Sequence, residues 1–244
     1  MTRTHYLIIA TFAVLAALTG CTATQRDAAA ELILCCYRGV SPETVNLMLQ
    51  LDRAGWRHSI HSGDALVSRV RSIAVSEWHR WTDGDVFLMV DDDIVFTPED
   101  AERVVALARE KRGIACAYYA TRDKKHLAQR LQWGEGVVEY GAGTPPEEIT
   151  YAATGFMAVH RAVVAAMARD LPFCHPREPW AFWPLFQPFV LEDRVNGPEY
   201  LSEDWAFCER ARQLGFGVWV DPSITLSHGG VTIADIKGAS DAAM

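Results

Sequence analysis

The sequence predicts an α/β fold of the doubly wound kind, one large domain around a mostly parallel sheet. Three observations carry that expectation. Apolar, β-rich runs alternate with helix-patterned segments over about ninety residues from Glu31, which is the signature of strands joined by crossover helices. One run, Val86-Phe87-Leu88-Met89-Val90, leads straight into Asp91-Asp92-Asp93, as a strand buried on both faces does when it ends at a charged edge. The chain has 244 residues, 50% of them hydrophobic, enough for one substantial core.

Taken in order, the chain opens on an uncharged, mostly apolar stretch from Tyr6 to Gly20, after Arg3 and ending Leu18-Thr19-Gly20-Cys21. That ending is similar to the lipobox of a bacterial lipoprotein signal. With Thr22 to Gln25 the uncharged run reaches roughly the twenty residues a membrane helix needs, so residues 1–21 read as a lipidated signal or, second, as a retained anchor. A linker to residue 30 follows. Glu31 to Tyr37 is the first strand, and Ser41-Pro42-Glu43 opens a helix with an N-cap, a first-turn proline and an acid. Gly55 closes that helix, Trp56 to Ile60 is a second strand, and Asp64 is expected to cap a helix running to Trp81 with Arg69 and Arg71 on it.

After the acid-tipped strand, Thr97-Pro98-Glu99-Asp100 starts a helix to about Lys111, and Ile114 to Tyr118 is the next strand. From Thr121 to Thr150 regular patterning fails: Arg122, Lys124 and Lys125 cluster, and glycines and prolines recur, as in a loop covering a site. Ala152 to His160 reads as a strand containing Thr154-Gly155-Phe156, and Arg161 to Arg169 as its helix. The loop Pro172 to Phe189 holds Trp180, Phe182, Trp183, Phe186 and Phe189. Its aromatic rings are open to three uses: stacking on sugar faces, core packing or lying on a membrane surface. Ser202-Glu203-Asp204 opens the last helix, Val218 to Val220 is the last strand, and His228 precedes Gly229-Gly230. The domain is thus bounded at 31–232, with a flexible tail over 233–244.

Formal net charge is −8 and no basic tract is present, which argues against nucleic acid as a partner. A phosphate-bearing ligand would need local arginines or a metal. Three adjacent carboxylates at a strand end repel one another, and hard oxygen ligands suit Mg²⁺ or Mn²⁺. The six cysteines have no zinc-ligand spacing and read as core thiols.

With these residues in place, the chain resembles nucleotide-sugar-dependent glycosyltransferases of the GT-A fold. The likeness runs from about Glu31 to Gly230 and rests on order: the Tyr37-Arg38 opening, an arginine helix, Asp91-Asp92-Asp93 where the family has Asp-X-Asp, Thr154-Gly155-Phe156, Ser202-Glu203-Asp204 and a terminal His228. The resemblance implies transfer of a sugar from a nucleoside diphosphate to a carbohydrate or other hydroxyl acceptor. It implies that Asp91 and Asp93 hold Mn²⁺ or Mg²⁺ with His228, and that Arg38, Arg69, Arg71 and Asp92 face the donor. Asp204, or second Glu203, would be the general base, while Gly155, Trp180 and Trp183 would meet sugar.

Two other classes compete. A nucleotidyltransferase uses a similar sheet and metal, although Tyr37-Arg38-Gly39 is a poor phosphate loop. A non-catalytic lipoprotein would bind sugar or metal in the same cleft. The expected location is a membrane, on its cytosolic face if the donor is a nucleotide sugar.

Overall fold

The computed structural model describes residues 30–36, 39–123, 126–131, 139–193, 197–235 and 240–241. The signal-like segment, Cys21, linker residues 22–29 and Arg38 lie outside the described residues. Among those described, no helix is long and apolar enough to cross a membrane.

The first half winds as the sequence predicts. Strand β1 (Glu31–Cys36) leads to α1 (Pro42–Arg53), β2 (Arg57–Ser62), α2 (Val67–Trp81) and β3 (Val86–Asp91). Ser41 caps α1, its hydroxyl accepting from the Thr44 amide at 3.1 Å. Asp64, in contrast, does not cap α2. Leu66 occupies the cap position, and the Asp64 carboxylate takes the Leu66 amide at 3.0 Å while pairing with Arg69. After the short β4 (Ile94–Val95), α3 (Pro98–Lys111) opens on a full capping box between Thr97 and Asp100. Then come β5 (Ile114–Ala117), β6 (Glu139–Tyr140), β7 (Glu147–Glu148), β8 (Phe156–His160), α4 (Arg161–Asp170), a hairpin of β9 (Phe189–Asp193) and β10 (Gly197–Leu201), α5 (Glu203–Gln213), β11 (Val218–Asp221), β12 (Ser227–His228) and β13 (Val231–Thr232).

The central sheet has the order β2-β1-β3-β8-β5-β11-β7. Strands β2, β1, β3, β5 and β11 share one direction, while β8 and the edge strand β7 oppose them. The parallel pattern is thus interrupted where β8 inserts between β3 and β5. Alternation along β1 shows the two layers: Leu32 and Leu34 pack with α1 and α3, Ile33 and Cys35 with α2, α4 and α5. Five described cysteines are free thiols, four of them buried, in line with their reading as core residues.

Three parts depart from the sequence expectation. The hairpin β9–β10 occupies a stretch to which the sequence reading assigns no element, because Pro198 interrupts its alternation. The last helix starts as expected with Ser202 at its N-cap position, but the Ser202 hydroxyl donates to Asp204 instead of accepting a backbone amide. The tail taken as flexible begins with a 3-10 turn, Ile233–Asp235, since Ile233 drops into the core; farther on, β14 (Ser240–Asp241) pairs with β6.

The capping box that starts α3 two residues after β4 fixes where the acid turn ends. Thr97→Ala should cost about 1 kcal/mol of unfolding free energy, read as a lower urea midpoint at unchanged slope.

Candidate active site

In a sheet of this kind ligands gather beyond the carboxyl ends of the parallel strands. Asp91 is the last residue of β3 and sits at that edge. The neighbouring β8 runs the other way, so it brings its beginning there: the Asp91 amide donates to the Gly155 carbonyl at 3.2 Å. The three aspartates therefore turn in front of Thr154-Gly155.

Arg71, one turn inside α2, is only 4% exposed and reaches this edge from below. One guanidinium nitrogen donates to Asp91 Oδ1 at 2.7 Å and the other terminal nitrogen to Glu203 Oε1 at 2.5 Å. Burial alone would weaken its hold on its proton, but Asp91 and Glu203 outweigh that effect, and the group stays charged, above its ordinary range. Arg71 is thus a clamp between β3 and α5. Its terminal nitrogens face carboxylates rather than a phosphate, and its Nε is buried without a partner.

The helix α5 sets its two acids in different surroundings. Glu203 has the arginine. Asp204 Oδ1 accepts from the Trp205 amide at 2.8 Å and from the Ser202 hydroxyl. Burial and then the Glu203 charge raise its pKa, more than these hydrogen bonds and Arg71 lower it. Asp92 is also raised, first by burial and then by Asp93 and Asp91. At the turn, the Thr44 hydroxyl donates to the Asp92 carbonyl at 3.2 Å.

His228 arrives through a small sheet in which β12 pairs with both β4 and β13, setting His228 opposite Ile94. Its Nε2 lies 3.1 Å from Asp93 Oδ2, and the Gly229 amide donates to the Asp93 carbonyl at 3.0 Å. The Nδ1 side is 2.9 Å from the Ala120 carbonyl, which can only accept, so Nδ1 carries a proton. Nε2 is then the nitrogen turned to the Asp93 carboxylate, and an imidazole and a carboxylate side by side, with a carbonyl behind the ring, are groups that could hold a divalent ion. Asp91 does not join that pair, because its carboxylate is turned to Arg71. Among the described residues no three His, Cys, Asp or Glu side chains converge as a metal set. Arg122, with its side chain 68% exposed, also pairs with Asp93.

Tyr119, just past β5, is the residue that sequence reasoning missed. Its hydroxyl accepts from the Gly155 amide at 3.0 Å, and its ring meets His228 edge-on at 5.4 Å. Burial, then Asp91 and Asp204, push its pKa well up, so the phenol is neutral. A Cβ at Gly155 would fall 2.4 Å from this hydroxyl; only glycine fits there. The sequence signal was weak, a tyrosine at the end of a strand in a doubly wound pattern.

Other expected site residues lie elsewhere. Arg69 is held on the surface by Asp64 at 2.5 Å. Trp183 packs against His79 and Phe173, and its amide donates to Ser76 Oγ at 3.0 Å. Residue 180 is next to Ala181, whose carbonyl accepts from Arg80 at 3.2 Å. Arg80 is nine residues along α2 from Arg71, about 14 Å at 1.5 Å per residue. Both tryptophans therefore belong to the far end of α2, because the loop climbs that helix from Arg80 to Ser72, where Phe186 docks.

Residues 69–167 match the family model described as Glycosyl transferase family 2. No curated protein matches. Among solved structures the chain is similar to A197 from STIV, at 17% identity and a TM-score of 0.53, covering 81% of this chain and 85% of that one. TarS 1-349 of S. aureus has 13% identity and a TM-score of 0.39, covering 80% of this chain and 58% of that one. The inositol-1-phosphate CTP transferase of T. maritima has 13% identity and a TM-score of 0.39, covering 85% and 72%.

Removing the clamp should loosen the edge. Arg71→Met leaves Asp91 and Glu203 facing each other, and breaking a buried pair costs about 3–5 kcal/mol; because water reaches both acids, about 3 kcal/mol is expected by denaturant unfolding.

Proposed function

From a GT-A fold whose residues 69–167 match glycosyl transferase family 2, we propose a metal-dependent glycosyltransferase that moves a sugar from a nucleoside-diphosphate donor to a hydroxyl acceptor. The observation that carries this reading is the meeting, at one sheet edge, of the Asp93–His228 pair with the Arg71-held Glu203 and the uncompensated Asp204. A donor diphosphate is anionic and this edge is acidic, so a cation must stand between them. Asp93 and His228 would hold Mn²⁺ or Mg²⁺, which when bound supplies positive charge to the leaving diphosphate. Arg122 pairs with Asp93 and is exposed enough to turn toward donor phosphate.

Asp204 is the proposed base. One of its oxygens is occupied by the Trp205 amide and the Ser202 hydroxyl; the other takes the acceptor's proton. The acceptor oxygen then bonds the anomeric carbon, the carbon–diphosphate oxygen bond breaks, and the diphosphate leaves with those electrons. A raised pKa makes Asp204 a stronger base than an ordinary aspartate. Glu203, neutralised by Arg71, holds position. Gly155 serves packing here rather than sugar contact, since it is buried and the Tyr119 hydroxyl and Ile94 fill the space beside it.

Two measurements test this. Asp93→Ala should weaken metal-dependent binding of a nucleoside diphosphate at least about tenfold by calorimetry, about 1.4 kcal/mol, with the fold intact; unchanged affinity would sink the assignment. Asp204→Asn should lower turnover about 10²–10⁴-fold with donor affinity nearly unchanged. Its stability should move the other way. A carboxylate whose folded pKa is raised costs the fold stability as pH rises above the unfolded value of about 3.9, so at pH 7 the Asn variant should be at least as stable as the parent, the difference vanishing in acid.

A further inference from the structure

We propose that the sheet edge opposite the acid cluster rests on a phospholipid surface, with Trp81 and Trp180 inserted at the level of the headgroups. At that edge β1 begins, Glu31 lying beside Arg57 of β2 and Phe87 of β3. Ala30, the residue before it, is buried there, so the preceding chain leaves the domain from this side. That chain carries the uncharged run Tyr6 to Gln25. Whether Cys21 is lipidated or the run is retained as an anchor, residues 22–29 can extend at most about 29 Å at 3.6 Å each. The tether holds the domain within that distance of a bilayer, with this edge as the side from which it emerges, and the exposed indoles select the face that meets the lipid.

The surface there has the chemistry of an interface. Trp81, the last residue of α2, is 70% exposed, and Trp180 is 40% exposed, its ring tilted against His175 with centroids 4.3 Å apart. Arg80 joins them: its guanidinium lies 4.6 Å from the Trp81 ring centre and 5.1 Å from that of Phe173, and it donates to the Ala181 carbonyl. Indole rings with an arginine among them suit the headgroup layer, where the apolar face is buried and the polar atoms stay wet.

The orientation has a consequence for the site. Six residues of β3 at about 3.3 Å each span about 20 Å, so the acid cluster stands about that far from the lipid, open to water. Donor and acceptor groups would reach it from the aqueous side.

Tryptophan fluorescence tests this without reference to activity, because the stretch 1–29 contains no tryptophan. The full chain is bound to phosphatidylglycerol–phosphatidylethanolamine vesicles whose acyl chains carry bromine near the headgroup. Its emission should be quenched, and in the Trp81→Phe/Trp180→Phe variant at least about half of that quenching should be lost while vesicle association persists. Trp81→Phe alone, at a ring that is mostly exposed, should lose part of it and guards against a folding defect at Trp180. Equal quenching in parent and double variant overturns the proposal. So does a vesicle-bound parent with no quenching, which would leave the two rings to a protein partner.

Discussion

The site depends on one ion-paired cation. Arg71 joins Asp91, twenty residues away in sequence, to Glu203, 132 residues away. Five acids, Asp91 to Asp93 with Glu203 and Asp204, gather at one sheet edge, and without a counter-charge their repulsion would spread β3 from α5. Arginine suits the task better than lysine, since its planar fork donates to two carboxylates at once and stays charged when buried. The clamp neutralises the inner acids only. Asp93 faces outward, toward His228 and the exposed side chain of Arg122.

The reversed strand β8 is the second constraint. A parallel strand between β3 and β5 would present its carboxyl end to the site and continue into a helix there. Running the other way, β8 presents its start, and the turn Thr154-Gly155 lies against the aspartates with the Asp91 amide bound to the Gly155 carbonyl. Tyr119 fills the space a side chain at residue 155 would take, and its ring continues to His228. Thr154-Gly155, the phenol and the imidazole are therefore one packed unit, and the position of the Asp93 partner is set partly by a glycine on another strand.

What the sequence made legible was local. Five apolar residues before three acids, a proline and an acid after Thr97, and two acids opening α5 each express a preference decided within a few residues, and the structure has all three. What stayed hidden was decided by distant partners. Nothing near Arg71 shows that both ends of its guanidinium will meet carboxylates, nor does anything near Asp64 show that it will take Arg69 rather than cap α2. The aromatic loop was equally ambiguous, because packing, sugar stacking and membrane contact draw on the same residue types. Its course along α2 separates them: Phe186 is core, Trp183 closes the helix's flank, and Trp180 is left at the far edge.

The adjacent acids of α5 show how environment divides roles between like groups. Both sit in a helix's first turn, where the dipole favours the ionised form, so position alone does not distinguish them. Arg71 does. Glu203 spends its charge on the clamp, where Arg71 donates to it at 2.5 Å. Asp204 has burial and the Glu203 charge against its ionised form, offset by the Ser202 and Trp205 bonds. The carboxylate that Arg71 does not engage is the one proposed as proton acceptor, while Glu203, through Arg71, keeps the acid-tipped strand and the proposed base in register.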